Sequence, residues 1–168
     1  VHDKAIVIVR LWIACGGDAA ANDNKVTLLS IAAYQRHADT VRFLLGNGAN
    51  VMDHPDNRRG LYVAPGENSA TSALVSCCVN NKVSTPAQLE TAKVLLNAGA
   101  NIDAIYRSFG PGGNTPLMLA TLMGNRRMVH YLLHRGAQNV MVDVVQSPAA
   151  RSPAVLAQQL GYHDLKCL

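Results

Sequence analysis

Residues 113–137 read GNTPLMLATLMGNRRMVHYLLHRGA, and the order of residue types in this stretch decides the fold. Thr115 followed by Pro116 is a helix start. The threonine hydroxyl satisfies a free backbone N–H at the N-cap, and proline at the first helical position has no N–H to leave unpaired. The short apolar run that follows ends at Gly124. A second stripe, Val129, Leu132 and Leu133, has the i, i+3, i+4 spacing of one helical face. It closes on Gly136, a residue suited to the left-handed position just past a helix end. The stretch therefore predicts a short helix, a turn and a second helix whose apolar face needs a neighbour.

The same order recurs along the chain, and a repeated unit outranks any single element as a fold signal. Trp12-Ile13, Leu44-Leu45 and Leu95-Leu96 each precede a glycine (Gly16, Gly48, Gly99), with Val9, Val41 or Ala92 three residues before the pair. Thr27 opens a short helix 21 residues before Gly48, as Thr115 does before Gly136, whereas Ser72 opens one 27 residues before Gly99. The third unit thus carries six extra residues between its helices. There Thr85-Pro86-Ala87-Gln88 has the N-cap, proline and glutamine order of a capping box. A last copy starts at Ser152-Pro153 and reaches Gly161. The small residues Ala32, Cys77, Ala120 and Ala157 at matching positions let the short helix lie close to its partner.

These residues resemble the ankyrin-repeat family. The unit from Gly113 to Ala137 departs from that family's Thr-Pro-Leu-His only in having Met118 where histidine is usual. The resemblance covers nearly the whole chain as one array. It consists of a partial first repeat at 1–20, three full repeats at 23–53, 68–103 and 111–140, and a truncated fifth at 148–168. It implies an all-α solenoid of stacked helix–turn–helix units joined by hairpin loops. The glycine spacings are 32, 51 and 37 residues, against a family period of about 33. The excess falls mostly in the loops, above all at 51–70. A chain that starts without Met and ends inside a repeat is expected to be a piece of a longer protein, and one less stable and less soluble than a longer stretch would be.

Composition narrows the function classes. Of the 168 residues 49% are hydrophobic and 15% charged, which excludes a disordered tail. Aromatics make up 5%, leaving few platforms for stacking on single-stranded nucleic acid. The net charge of +4 is a mild basic bias that tunes solubility more than it names a partner. The longest nearly apolar run, residues 5–15, is interrupted by Arg10 and falls short of the ~20 residues a bilayer span needs. Four cysteines without a C-x-x-C pair point to reduced thiols in a cytoplasmic or nuclear protein.

The signatures of chemistry are missing. His130 and His134 sit one helical turn apart, but no third metal ligand can be named and both fall on the solvent face of their helix. Cys77 and Cys78 occupy the small-residue positions of Ala32 and Ala33, so they are expected to be buried and inert. The run from Gly110 to Thr115 lacks a P-loop lysine and a preceding strand. The basic pairs Arg58-Arg59 and Arg126-Arg127 do not belong to a nucleic-acid reading helix. No enzyme, cofactor or metal site is expected, and nucleic acid is disfavoured as a partner.

Function is then expected from shape. The resemblance implies that another protein is held on the concave face, at the exposed ends of the short helices and at nearby loop tips. Carried onto this chain, those helix positions are Tyr34, Gln35, Val79, Asn80, Leu122, Met123, Gln159 and Leu160. The loop candidates are Arg58, Arg59, Asn114 and Arg151. Tyr34, Leu122 and Met123 are the expected apolar anchors, with Asn80 and Gln159 orienting the partner. A contiguous apolar strip there suits an amphipathic helix or an extended peptide; the same side chains could equally cover each other or the long loops. The alternative function is a regulatory array that packs on a catalytic or membrane domain of the same larger protein.

Overall fold

A computed structural model describes residues 2–21, 27–51, 73–79, 85–105, 114–139 and 152–162. The described part is all-α, with eight helices: α1 (His2–Ala14), α2 (Leu28–Tyr34), α3 (Ala38–Gly46), α4 (Ala73–Val79), α5 (Pro86–Asn97), α6 (Pro116–Leu122), α7 (Arg126–His134) and α8 (Pro153–Gln159). Short and long helices alternate. The long loops singled out in the sequence lie outside the described residues for most of their length.

Each short helix starts where the hydroxyl residue predicted. The side chains of Thr27, Thr115 and Ser152 accept hydrogen bonds from the backbone N–H of Ser30, Met118 and Val155 at 3.0–3.2 Å. At Thr27 the cap is reciprocal, because Ser30 Oγ also accepts from the Thr27 N–H at 3.1 Å. Pro116 and Pro153 occupy the first turns of α6 and α8.

The ends are equally regular. The N–H of Ala137 donates to the Leu132 carbonyl at 2.9 Å and that of Gly136 to Leu133 at 3.0 Å, the paired bonds of a Schellman motif. The same pairing ends α3 at Gly48 and α5 at Gly99, and these glycines have φ of 95° and 92°. Short helices close the same way at Gly124 and Gly161, but α2 closes on Arg36, the one non-glycine with positive φ (62°) among the described residues.

Two layers result. The short helices stack in the order α2, α4, α6, α8, each on the next, and the long helices back them, with α1 on α3 and α3 on α5. The core runs between the layers. Val41, Leu44, Leu74, Leu95, Leu117, Val129 and Leu132 have no exposed surface. Among the described residues no helix is long and apolar enough to cross a membrane.

One expectation about this core is corrected. Thr85 does cap α5, accepting from the Gln88 N–H at 3.2 Å, but Gln88 does not reach back to complete a capping box. Its amide turns inward, donating to the Cys77 carbonyl at 2.6 Å and accepting from Asn125 Nδ2 at 3.0 Å. The reason is register. Gln88 lies 11 residues before Gly99 and Asn125 lies 11 before Gly136, so α5 begins three residues early and its glutamine falls at the seam between repeats.

Candidate functional site

The positions expected to meet a partner fall at one end of consecutive short helices. Tyr34 ends α2 and Gln35 caps it; Val79 ends α4; Leu122 ends α6 and Met123 caps it; Gln159 ends α8 and Leu160 caps it. Because α2, α4, α6 and α8 stack in sequence, these pairs follow one another along the array. Asn80, Arg58, Arg59 and Arg151 lie outside the described residues.

Exposure divides the set. Tyr34 and Leu160 are exposed by 45% and 44%, and Gln35 and Gln159 are exposed beside them. Val79 and Leu122 are half-buried and pack against the core, while Met123 is half-buried at its turn. The strip is therefore open at its two ends and shallower in the middle. Of the loop candidates, Asn114 is described and is 4% exposed, directly before the buried Thr115 cap.

A charge pattern accompanies this geometry. The sequences of the short helices, LLSIAAY, ALVSCCV, PLMLATL and PAVLAQQ, contain no Asp, Glu, Lys or Arg. Charge in the helices is confined to the long ones. On α3, Arg42 pairs with Asp39 at 2.8 Å and also with Glu90 on α5. Arg10 of α1 lies over the Phe43 ring at 5.3 Å. An open cleft of about 440 Å³ between α1 and α3 is lined by Ile6, Arg10, Asp39, Arg42, Phe43, Gly46 and Asn47. The Arg42–Asp39 pair and the Arg10–Phe43 contact both lie in its lining.

The residues considered for chemistry fall where the sequence placed them. Cys77 and Cys78 have no exposed surface. Burial pushes the Cys77 thiol up to about 12 from an ordinary 9.0, only partly offset by Arg36 and a backbone hydrogen bond. Burial holds Cys78 well above its ordinary value too. Both are protonated and unreactive at neutral pH. His130 and His134 are exposed on α7, and among the described residues no three His, Cys, Asp or Glu side chains come together.

A family model described as ankyrin repeats, in three copies, matches residues 2–106 and 61–143. The chain belongs to the ankyrin-repeat family. Ankyrin repeats are generally protein–protein interaction modules and typically not enzymes. No curated protein matches the chain in sequence. Residues 144–168 lie beyond the ankyrin match, yet α8 packs on α6 as α6 packs on α4, and Ser152, Pro153 and Gly161 repeat the parts of the unit before it.

Sequence reasoning missed one feature of this array. Val7, Ile8, Leu11 and Trp12 of α1 and Ile31 of α2 are exposed by 41–67%. A register comparison of α1 with the later long helices would have flagged it, since Ile8 and Trp12 align with core positions.

Proposed function

We propose that this ankyrin array holds another protein, a helix or extended peptide with an uncharged, apolar strip, along the exposed ends of its short helices. Tyr34 and Leu160 are the apolar anchors at the two ends. Val79, Leu122 and Met123 form the shallow floor between them, and Gln35, Asn80 and Gln159 supply hydrogen bonds that orient the partner. The five repeat segments act as one binding unit. The observation that carries this reading is the complete absence of charge from four consecutive short helices. A face of that kind gains by burying apolar area and offers an acidic or basic partner nothing to pair with.

The test is a pull-down from host-cell lysate with the wild type and with Tyr34→Asp/Leu160→Asp, once circular dichroism has shown both to be equally folded. A prey lost in the variant and retained in 0.5 M salt, as roughly expected of apolar burial, supports the reading. A prey retained by the variant, or released by salt as counterion-driven binding is, contradicts it.

A further inference from the structure

The long helices differ in how they carry charge. On α3, Asp39 accompanies Arg42, and on α5, Glu90 accompanies Lys93, so each of these helices is neutral by itself. The α7 sequence RRMVHYLLH and its cap Arg135 contain no Asp or Glu, and neither does the whole stretch 104–142. With three arginines and no acid, α7 and its cap carry +3 of the chain's net +4.

These basic residues share one side of the helix. Arg126, His130 and His134 follow one another at four-residue spacing with Arg127 beside them, and all four are exposed. The opposite side, Met128, Val129 and Leu132, has no exposed surface. Arg135 continues the basic stripe, its guanidinium 5.8 Å from the centre of the Tyr131 ring and hydrogen-bonded to Asn97 Oδ1 at 3.1 Å. The described acids of the preceding repeat are engaged elsewhere. Glu90 pairs with Arg42, and the Asp103 carboxylate accepts from the Gln138 N–H at 3.0 Å.

Two of the arginines also stand at the wrong end of their helix for stability. Arg126 and Arg127 open α7, where the helix dipole is positive and a carboxylate is favoured; α3 has Asp39 in its first turn. The fold gains nothing from arginines there, and a local conflict of this kind points to an anion brought from outside. What the stripe lacks narrows the anion. None of the exposed large hydrophobic side chains lies on α7, so there is no anchor of the sort that centres a protein–protein interface. Its one ring, Tyr131, is half-buried and stacked against Arg135, which leaves no platform for a base. What remains is charge spread over about 12 Å of helix, with guanidinium groups that match phosphate oxygens in pairs.

We propose that the back of α7, through Arg126, Arg127 and Arg135, rests the array against a membrane surface rich in anionic phospholipid. A layer of phosphate headgroups presents dense negative charge and demands no shape complementarity, which is what this stripe can meet. The stripe lies on the layer of long helices and not at the ends of the short ones, so a lipid surface here and a protein partner there are compatible. It fixes where the array sits and takes no part in what the array recognises.

Co-sedimentation of the protein with vesicles tests this, using phosphatidylcholine alone or equal parts of phosphatidylcholine and phosphatidylserine. The proposal expects binding to the mixed vesicles and none to phosphatidylcholine alone. Binding should disappear as salt rises from about 0.1 M to about 1 M, which shortens the screening length from ~10 Å to ~3 Å. Arg126→Glu/Arg127→Glu is expected to weaken binding at least about tenfold while raising the melting temperature, because a carboxylate in the first turn suits the helix dipole. Lys4→Glu/Arg10→Glu changes the net charge equally on α1 and should leave most of the binding intact. Equal binding to both kinds of vesicle, binding that survives the α7 reversal, or equal loss with both reversals would overturn the proposal. So would absence of binding to the mixed vesicles; capture of duplex DNA by the same stripe in their place would make nucleic acid the occupant.

Discussion

Arg36 carries the largest local conflict in the array. It stands at the helix-closing position that Gly124 and Gly161 fill, at φ 62° where they have 66° and 72°. The left-handed conformation costs a side-chain-bearing residue roughly 1–2 kcal/mol. Arg36→Gly is therefore expected to be more stable than Arg36→Ala by about 1 kcal/mol, because both lose the guanidinium and only glycine loses the strain. Thermal melts of the two variants decide it, and equal stability would mean the turn is unstrained. The helix caps make a second residue-scale case. Thr115 has no exposed surface and its hydroxyl holds the Met118 N–H at 3.2 Å. Thr115→Ala should cost about 1 kcal/mol, and Thr115→Ser far less. The thiols give a pH dependence with a definite sign. Cys77 and Cys78 keep their protons in the folded state to well above the unfolded value of 9.0. Their contribution is thus fully present below that value and is lost as pH rises above it, for Cys77 toward about 12. Each thiol steepens the alkaline fall by at most about 1.4 kcal/mol per pH unit. Replacing both by alanine should flatten the fall between pH 9 and 11; an unchanged slope would show that other groups cause it.

Among the elements, the seam between α5 and α7 depends on one buried amide. Gln88 and Asn125 are exposed by 0% and 1%, and between them they tie the end of α4, the body of α5 and the start of α7. Replacing Gln88 by leucine leaves the Cys77 carbonyl and the Asn125 amide without these partners. Each such group costs roughly 1–3 kcal/mol, so Gln88→Leu should be among the most damaging single changes, well beyond any break of the exposed Arg42 pairs. Comparing denaturation midpoints of Gln88→Leu and Arg42→Ala checks the order. This seam also marks how far the elements were legible beforehand. Hydroxyl starts, proline at the first turn and glycine ends located the helices because each is a local backbone requirement written in a single residue. Gln88 fits two environments with the same four-residue spelling, and only the register of the whole helix decides between reaching back and reaching inward. The burial of Asn114 was illegible for a related reason. A polar residue before a helix cap reads as loop surface until the neighbouring repeats bury it.

For the whole molecule, the stack order and the uncharged short helices were readable from the repeat alone, since register fixes which helix lies beside which. Exposure along the ends of the short helices was not. Whether Leu122 stands up as an anchor or sinks into the core depends on packing of a few ångströms that no periodicity encodes. The account's central claim is that function lives on that uncharged face and not on the charged backs of the long helices. Site-specific photo-crosslinking in the host cell tests it most directly, with the photoreactive residue placed at Gln35 in one protein and at Lys93, exposed on α5, in another. The account predicts a discrete crosslinked protein from position 35 and none from position 93. A crosslinked protein from position 93 with none from position 35 would contradict it.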